Sequence, residues 1–335
     1  MADGKRRREL ARADRVLPGV WRLRLPLPWP AVPHVNAFAI ASGSGVVLVD
    51  TGIHEPGSLA QLERALDQAG LRLDHIRLLV CTHAHSDHYG LAGPIVDASG
   101  CELWMHPNHA HMTRSAEDPE RAFERRIEVA RHSGVPLEAL ERYRDQNKGS
   151  GVGIARVVTP DRDLLPGVEV ETDLGRWQVH ETPGHAPSHV VLHQPERRLL
   201  LSGDHVLGRA SLYFDYGYTP DPVGEYLSSL DKVRDLDVDL VLAGHGRPVR
   251  DLPRLVGAHE DLVEQALDRV RIALAQGPQT PYGIVAEVLG IADIPPAAMS
   301  WGLSLTLCYL RHLELRGEVE CVADSDPERW RLAKA

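Results

Sequence analysis

The chain has 335 residues, 43% hydrophobic and 25% charged, a balance that suits a large globular domain with a small companion and excludes wholesale disorder. No run approaches the roughly 20 consecutive apolar residues that crossing hydrocarbon requires, so no membrane contact is expected. A net charge of −10 argues against a generic grip on nucleic acid.

The N-terminal MADGKRRRELARADR is basic but no apolar stretch follows it, so residues 1–17 read as a flexible arm rather than a secretory signal. From Gly19 to Asp50 the pattern is of strands. Val20 to Leu25 alternates, and Asn36–Ile40 and Val46–Val49 flank a Gly43-Ser44-Gly45 turn, which predicts a hairpin. Leu59, Leu62, Leu66 and Ala69 then give helical spacing closed by Gly70. A second apolar strand, Ile76 to Val80, runs into Cys81-Thr-His-Ala-His-Ser-Asp-His88. Residues 106–147 form a polar, helix-prone insertion. Short strands are expected near 168–170, 177–180, 190–193, 199–201 and 238–242.

After residue 250 the character changes. Leu262, Ala266, Val270 and Ala273 mark a helix stopped by Gly277-Pro278, and Thr280-Pro281 starts another. Leu303, Leu307 and Leu310 mark a third, and two short strands follow around Val319 and Trp330. This is the outline of a winged-helix-like domain over 255–335, behind a catalytic domain over 18–250. Cys81, Cys101, Cys308 and Cys321 lie far apart without a CxxC pair, which fits reduced thiols in a cytoplasmic protein.

Eighteen histidines stand against three phenylalanines, and they cluster. His83-Ala-His85-Ser-Asp87-His88 puts four ligand-type side chains into six residues directly after a strand. That spacing lets two histidines point one way and an Asp–His pair the other. Imidazole and carboxylate suit zinc and other borderline divalent metals. Three further candidates, His185, Asp204 and His245, each follow a predicted strand on a glycine-containing loop, where backbone can approach a metal closely.

With these residues in order, the sequence resembles the metallo-β-lactamase superfamily, over roughly residues 18–250. It also resembles the branch containing glyoxalase II and lactamase-like-2 proteins. The resemblance implies an α+β fold, an αββα sandwich of two facing sheets with helices outside. It implies two divalent ions, zinc with iron or manganese as alternatives. His83, His85 and His185 would hold the first ion and Asp87, His88 and His245 the second, with Asp204 bridging and Asp50 orienting a ligand from behind. Asp204 stands where lactam-cleaving enzymes carry cysteine, which points toward the glyoxalase II-like hydrolases.

The implied activity is hydrolysis of a small acyl ester, thioester or lactone by a hydroxide held between the ions, with Asp87 carrying the proton. No Gly-x-Ser-x-Gly elbow offers another nucleophile. His189, Tyr213 and Tyr216 are candidate substrate contacts. His106, His109 and His111 read as polar loop groups, and His205 as buried behind the ligands. A metal-dependent endoribonuclease is the first alternative, although residues 251–335 carry 8 basic and 13 acidic side chains. An iron persulfide dioxygenase, needing one metal, is the second. The expected partner is a small acyl substrate, with a homodimer left open. The C-terminal segment is expected to shape the pocket mouth or a subunit contact, and to be dispensable for the metal cage.

Overall fold

Val46, Val47, Leu48 and Val49 are all buried, and so are Leu199, Leu200 and Leu201. Strands apolar on both faces must be covered on both faces, so two packed sheets need an outer layer on each side. The computed structural model has that layering and describes residues 10–29, 32–147, 151–209, 212–292, 294 and 296–334.

The first sheet follows chain order: β1 (Arg12–Leu17), β2 (Val20–Pro26), β3 (His34–Ser42), β4 (Gly45–Val49), β5 (Ile76–Cys81), β6 (Glu102–Met105) and β7 (Arg162–Asp163). Helix α1 (Ser58–Gln68) links β4 to β5, and α2 (Ser86–Tyr89) and α3 (Ala92–Ser99) link β5 to β6. The insertion then adds α4 (Ala110–Glu117), α5 (Pro119–His132) and α6 (Leu137–Asn147). The second sheet contains β8 (Glu169–Thr172), β9 (Gly175–Glu181), β10 (Val190–Gln194), β11 (Leu199–Gly203) and, after α7 (Pro222–Arg234), β12 (Leu240–Ala243). Its order is β12-β11-β10-β9-β8. The chain ends in α8 (Leu252–Leu274), α9 (Pro281–Leu289), α10 (Pro296–Leu315) and the antiparallel pair β13 (Val319–Cys321) and β14 (Trp330–Leu332).

Side-chain alternation assigns each face. Val47 and Val49 of the first sheet meet Val190, Leu192, Leu199 and Leu201 of the second in a central core around the fully buried Trp177. Val46 and Leu48 turn outward onto Leu62, Leu66 and Ile95 of α1 and α3. Val191, Leu200 and Val241 turn outward onto α7 and the C-terminal helices. The predicted hairpin is present, with Ser42 opposite Gly45 and Gly43 at φ 57°, a left-handed value that glycine adopts without a Cβ clash. Thr280 caps α9 through the Gly283 amide, with Pro281 at the first position, as the sequence predicts.

One expectation is corrected. The arm does not extend to residue 17, because Arg12–Leu17 forms an edge strand on β2; residues 1–9 lie outside the described residues. The polar insertion also has a buried apolar side. Ile127, Val135 and Leu140 pack against Val285, Leu303 and Leu307 of α9 and α10.

Candidate metal centre

Strand direction gathers the site. β4 and β5 run parallel, as do β11 and β12, and β9 shares the direction of β11 because both are antiparallel to β10. The loops at the C-terminal ends of β4, β5, β9, β11 and β12 therefore open at one edge of the sandwich. They carry, respectively, Asp50, the His83–His88 cluster, His185, Asp204 and His245.

His83 Nε2 and His185 Nε2 each lie 3.0 Å from His85 Nδ1. Beside this trio, His245 Nε2 is 3.1 Å from Asp204 Oδ2 and 3.3 Å from Asp87 Oδ2. His88 Nε2 is 3.4 Å from Asp204 Oδ1 and 3.6 Å from Asp87 Oδ2. Asp204 Oδ2 also lies 3.8 Å from His185 Nε2, so this one carboxylate faces both groups. All seven predicted ligands come together. Gly244 leaves room for the approach: a Cβ there would lie 2.3 Å from Asp204 Oδ1 and 2.7 Å from His88 Cε1.

The opposite ring nitrogens fix the tautomers. His88 Nδ1 donates to Asp50 Oδ2 (2.8 Å), His185 Nδ1 to the Tyr213 carbonyl (3.0 Å) and His245 Nδ1 to the His34 carbonyl (2.8 Å). Asp50 also accepts from the Thr82 amide and hydroxyl, so His83 Nδ1 donates to Thr82 Oγ1 (3.0 Å). His85 reverses the pattern, donating Nε2 to Asp215 Oδ2 (2.9 Å). In its neutral form each ring thus turns a lone pair inward. Three lone pairs converge in the first trio, and His88 Nε2 and Asp204 Oδ1 are buried without a hydrogen-bond partner. Buried acceptors facing one another need a cation between them, and the nitrogen spacing approaches the about 3.3 Å edge of a tetrahedral site with metal–nitrogen bonds of about 2.0–2.1 Å. These residues fit divalent metal.

The electrostatics differ between the halves. Burial, reinforced by His85, pulls His185 down to about 4, and burial also holds His83 well below its ordinary value. Burial works against charge on His245 too, but Asp204 and Asp87 overcome it and lift the ring to about 10. His88 is raised for the same reason, with Asp50 adding to the pull. Without metal, the second set therefore holds protons that a cation must displace.

The substrate candidates separate. The Tyr213 ring sits 5.4 Å from that of His85 and 5.8 Å from that of His185, beside the first trio. Tyr216 instead lines a cavity of about 300 Å³ against α10, with Cys308 and Arg311. His189 is 1% exposed and donates Nδ1 to Thr182 Oγ1 while Nε2 accepts the Asp204 amide. With both nitrogens occupied it holds the Asp204 backbone, and the expectation that it contacts substrate is corrected. His205 is buried, as expected.

Two participants went unrecognised in the sequence. Asp215, which anchors His85, is also 2.9 Å from His111 Nδ1, and His111 Nε2 reaches Ser188 Oγ at 2.9 Å. His111 is therefore part of the packing behind the ligands, not a loose loop group. His106 pairs with Glu181 across the two sheets and His109 with Thr113. The only signal for Asp215 was its place in the aromatic run Tyr213-Phe-Asp-Tyr216.

A two-sheet sandwich with a His/Asp metal cage at one edge defines a metallo-hydrolase class. The chain belongs to the Metallo-beta-lactamase superfamily, whose pattern matches residues 31–245. It is 25% identical over 297 residues to the probable metallo-hydrolase YqjP of Bacillus subtilis, covering 85% of this chain and 88% of that protein. It is 26% identical over 205 residues to the hydroxyacylglutathione hydrolase GloC of Haemophilus influenzae, covering 59% of this chain and 80% of that protein. A beta-lactamase domain protein from Burkholderia ambifaria superposes with a TM-score of 0.83 at 28% identity, covering 96% of this chain and 94% of that one.

Proposed function

We propose that the protein is a dinuclear metal-dependent hydrolase of a small acyl thioester, ester or lactone, with zinc as the metal. The observation that carries the two-ion reading is Asp204, whose Oδ2 faces both His185 of the first trio and His245 of the second set, with Oδ1 beside His88. His83, His85 and His185 would hold one ion, Asp87, His88 and His245 the other, and Asp204 both.

Bound there, the ions supply Lewis acidity and lower the pKa of coordinated water from 15.7 to about 7. The chain supplies the rest. Asp50, Thr82, Asp215 and the carbonyls of Tyr213 and His34 hold each imidazole in one tautomer and one orientation. Asp87, buried beside His245 and His88, takes a proton from the attacking water and returns it to the departing thiolate or alkoxide. Tyr213, whose ring lies beside the first trio, would donate to a developing oxyanion.

The thioester class draws support from the name of GloC, a hydroxyacylglutathione hydrolase. Acidity of the C-terminal segment weighs against an RNA substrate, and four free cysteines suit a reducing cytoplasm. No described helix is long and apolar enough to cross a membrane. Purified zinc-loaded protein assayed on acyl-glutathione and other acyl-thioesters, lactones, simple esters and single-stranded RNA tests the reading. Thioester or lactone turnover abolished by chelation is expected; RNA cleavage with no acyl turnover would overturn it.

A further inference from the structure

Residues 212–215 connect two parts of the molecule that the sequence presents as separate. Toward the C-terminal segment, Trp301 Nε1 donates to the Leu212 carbonyl (3.2 Å) and Ser304 Oγ to the Phe214 carbonyl (2.8 Å), which Cys308 Sγ also approaches at 3.9 Å. These three residues lie three and four apart on α10 and so share one face of it. The Phe214 ring is fully buried against Tyr226 of α7 and Tyr309 of α10.

Toward the metal centre, the intervening groups face the opposite way. The Tyr213 carbonyl receives His185 Nδ1, the Asp215 amide donates to the His185 carbonyl at 3.3 Å, and the Asp215 carboxylate receives His85 Nε2. Neighbouring groups of a short segment without regular secondary structure thus serve two clients. The orienting contacts of two of the first trio come from a strip whose other side is gripped by α10.

We propose that residues 212–215 are a tether through which α10 positions His85 and His185, with Asp215 as the positioning residue. The proposal rests on the reading of His83, His85 and His185 as a metal set. The C-terminal segment is then part of the metal centre's support. This replaces the expectation that it can be removed with the cage intact: truncation near Gly257 strips the donors from the Leu212 and Phe214 carbonyls and the cover from Phe214.

The test uses the full chain carrying His245→Ala, which disables the second set, and titrates cobalt(II) against a chromophoric chelator while recording the visible spectrum. Adding Asp215→Asn is expected to weaken binding about 10- to 100-fold, the usual effect of removing a partner behind a ligand, and to shift the cobalt bands. Adding Ser304→Ala moves both readouts in the same direction by less, and Ser304→Thr, which keeps the hydroxyl, restores them. Should Asp215→Asn fail to fold, the Ser304 pair decides. Unchanged affinity and spectrum in folded Asp215→Asn would overturn the role of Asp215. A Ser304→Ala protein that loses thermal stability with an unaltered cobalt spectrum would show that α10 only packs. No metal uptake by the unsubstituted chain would instead overturn the underlying metal-site reading.

Discussion

Asp50 Oδ2 accepts a hydrogen bond from His88 Nδ1 at 2.8 Å, with Asp50 2% exposed and His88 wholly buried. Asp50 sits at φ 63°, in the left-handed region, where Asp and Asn are the best tolerated residues with a side chain. From there its carboxylate reaches the second set through His88 and the first through Thr82 and His83.

Asp50→Asn tests that reach. The backbone conformation remains accessible, but an amide nitrogen facing His88 Nδ1 opposes donor to donor. We expect metal affinity at the second set to fall about 10- to 100-fold, with a smaller loss at the first. Competition with a chromophoric chelator measures both. Unchanged affinities would show that the ligands hold their own orientation.

Asp87→Ala should be more severe, because it removes a proposed metal ligand and the proposed proton carrier together. A loss of at least about 100-fold in kcat is expected, with metal content falling from two ions toward one. Elemental analysis of the purified variant beside its turnover checks both parts.

Metal uptake should also release protons. His245 is held near about 10 by Asp204 and Asp87 against the opposing effect of burial, so it is charged at neutral pH without metal. A cation needs its neutral form, so apparent affinity at the second set rises with pH and levels off above about 10. Calorimetric titrations at pH 7 in buffers of different ionisation enthalpy will register the released protons. Uptake with no proton release would contradict this.

Away from the metal, Tyr226 joins three segments. Its hydroxyl donates to the His205 carbonyl at 2.8 Å and accepts from His259 Nδ1 at 2.7 Å, while His259 Nε2 accepts from the Leu207 amide. Tyr226→Phe strands a buried donor and a buried acceptor and should destabilise the fold by about 1–3 kcal/mol, read as a lower urea midpoint. The contact ties α8 to the loop carrying Asp204.

What could be read from the sequence followed the distance over which each signal acts. His83, His85, Asp87 and His88 fall within six residues, and His185, Asp204 and His245 each follow an apolar strand, so both chemistry and position were visible. Asp215 was not, because its partner His85 is 130 residues away and nothing in its spacing marks the pairing. His111 carries no sequence signal for the same reason, its contact with Ser188 spanning 77 residues. Strand β1 was missed because only its pairing to β2 distinguishes Arg12–Leu17 from a polar arm. Local composition records what a segment can do, and long-range packing decides which neighbour it does it with.

The proposed ligand set is split between the sheets: His83 to His88 follow β5 of the first, while His185, Asp204 and His245 follow strands of the second. The protein therefore cannot assemble its cage until the ribosome has released the chain well past residue 245. Ions held there would join the two halves of the sandwich and act as a late clasp on folding. Deprived of metal, the chain would keep a less firmly closed seam and be more open to proteolysis.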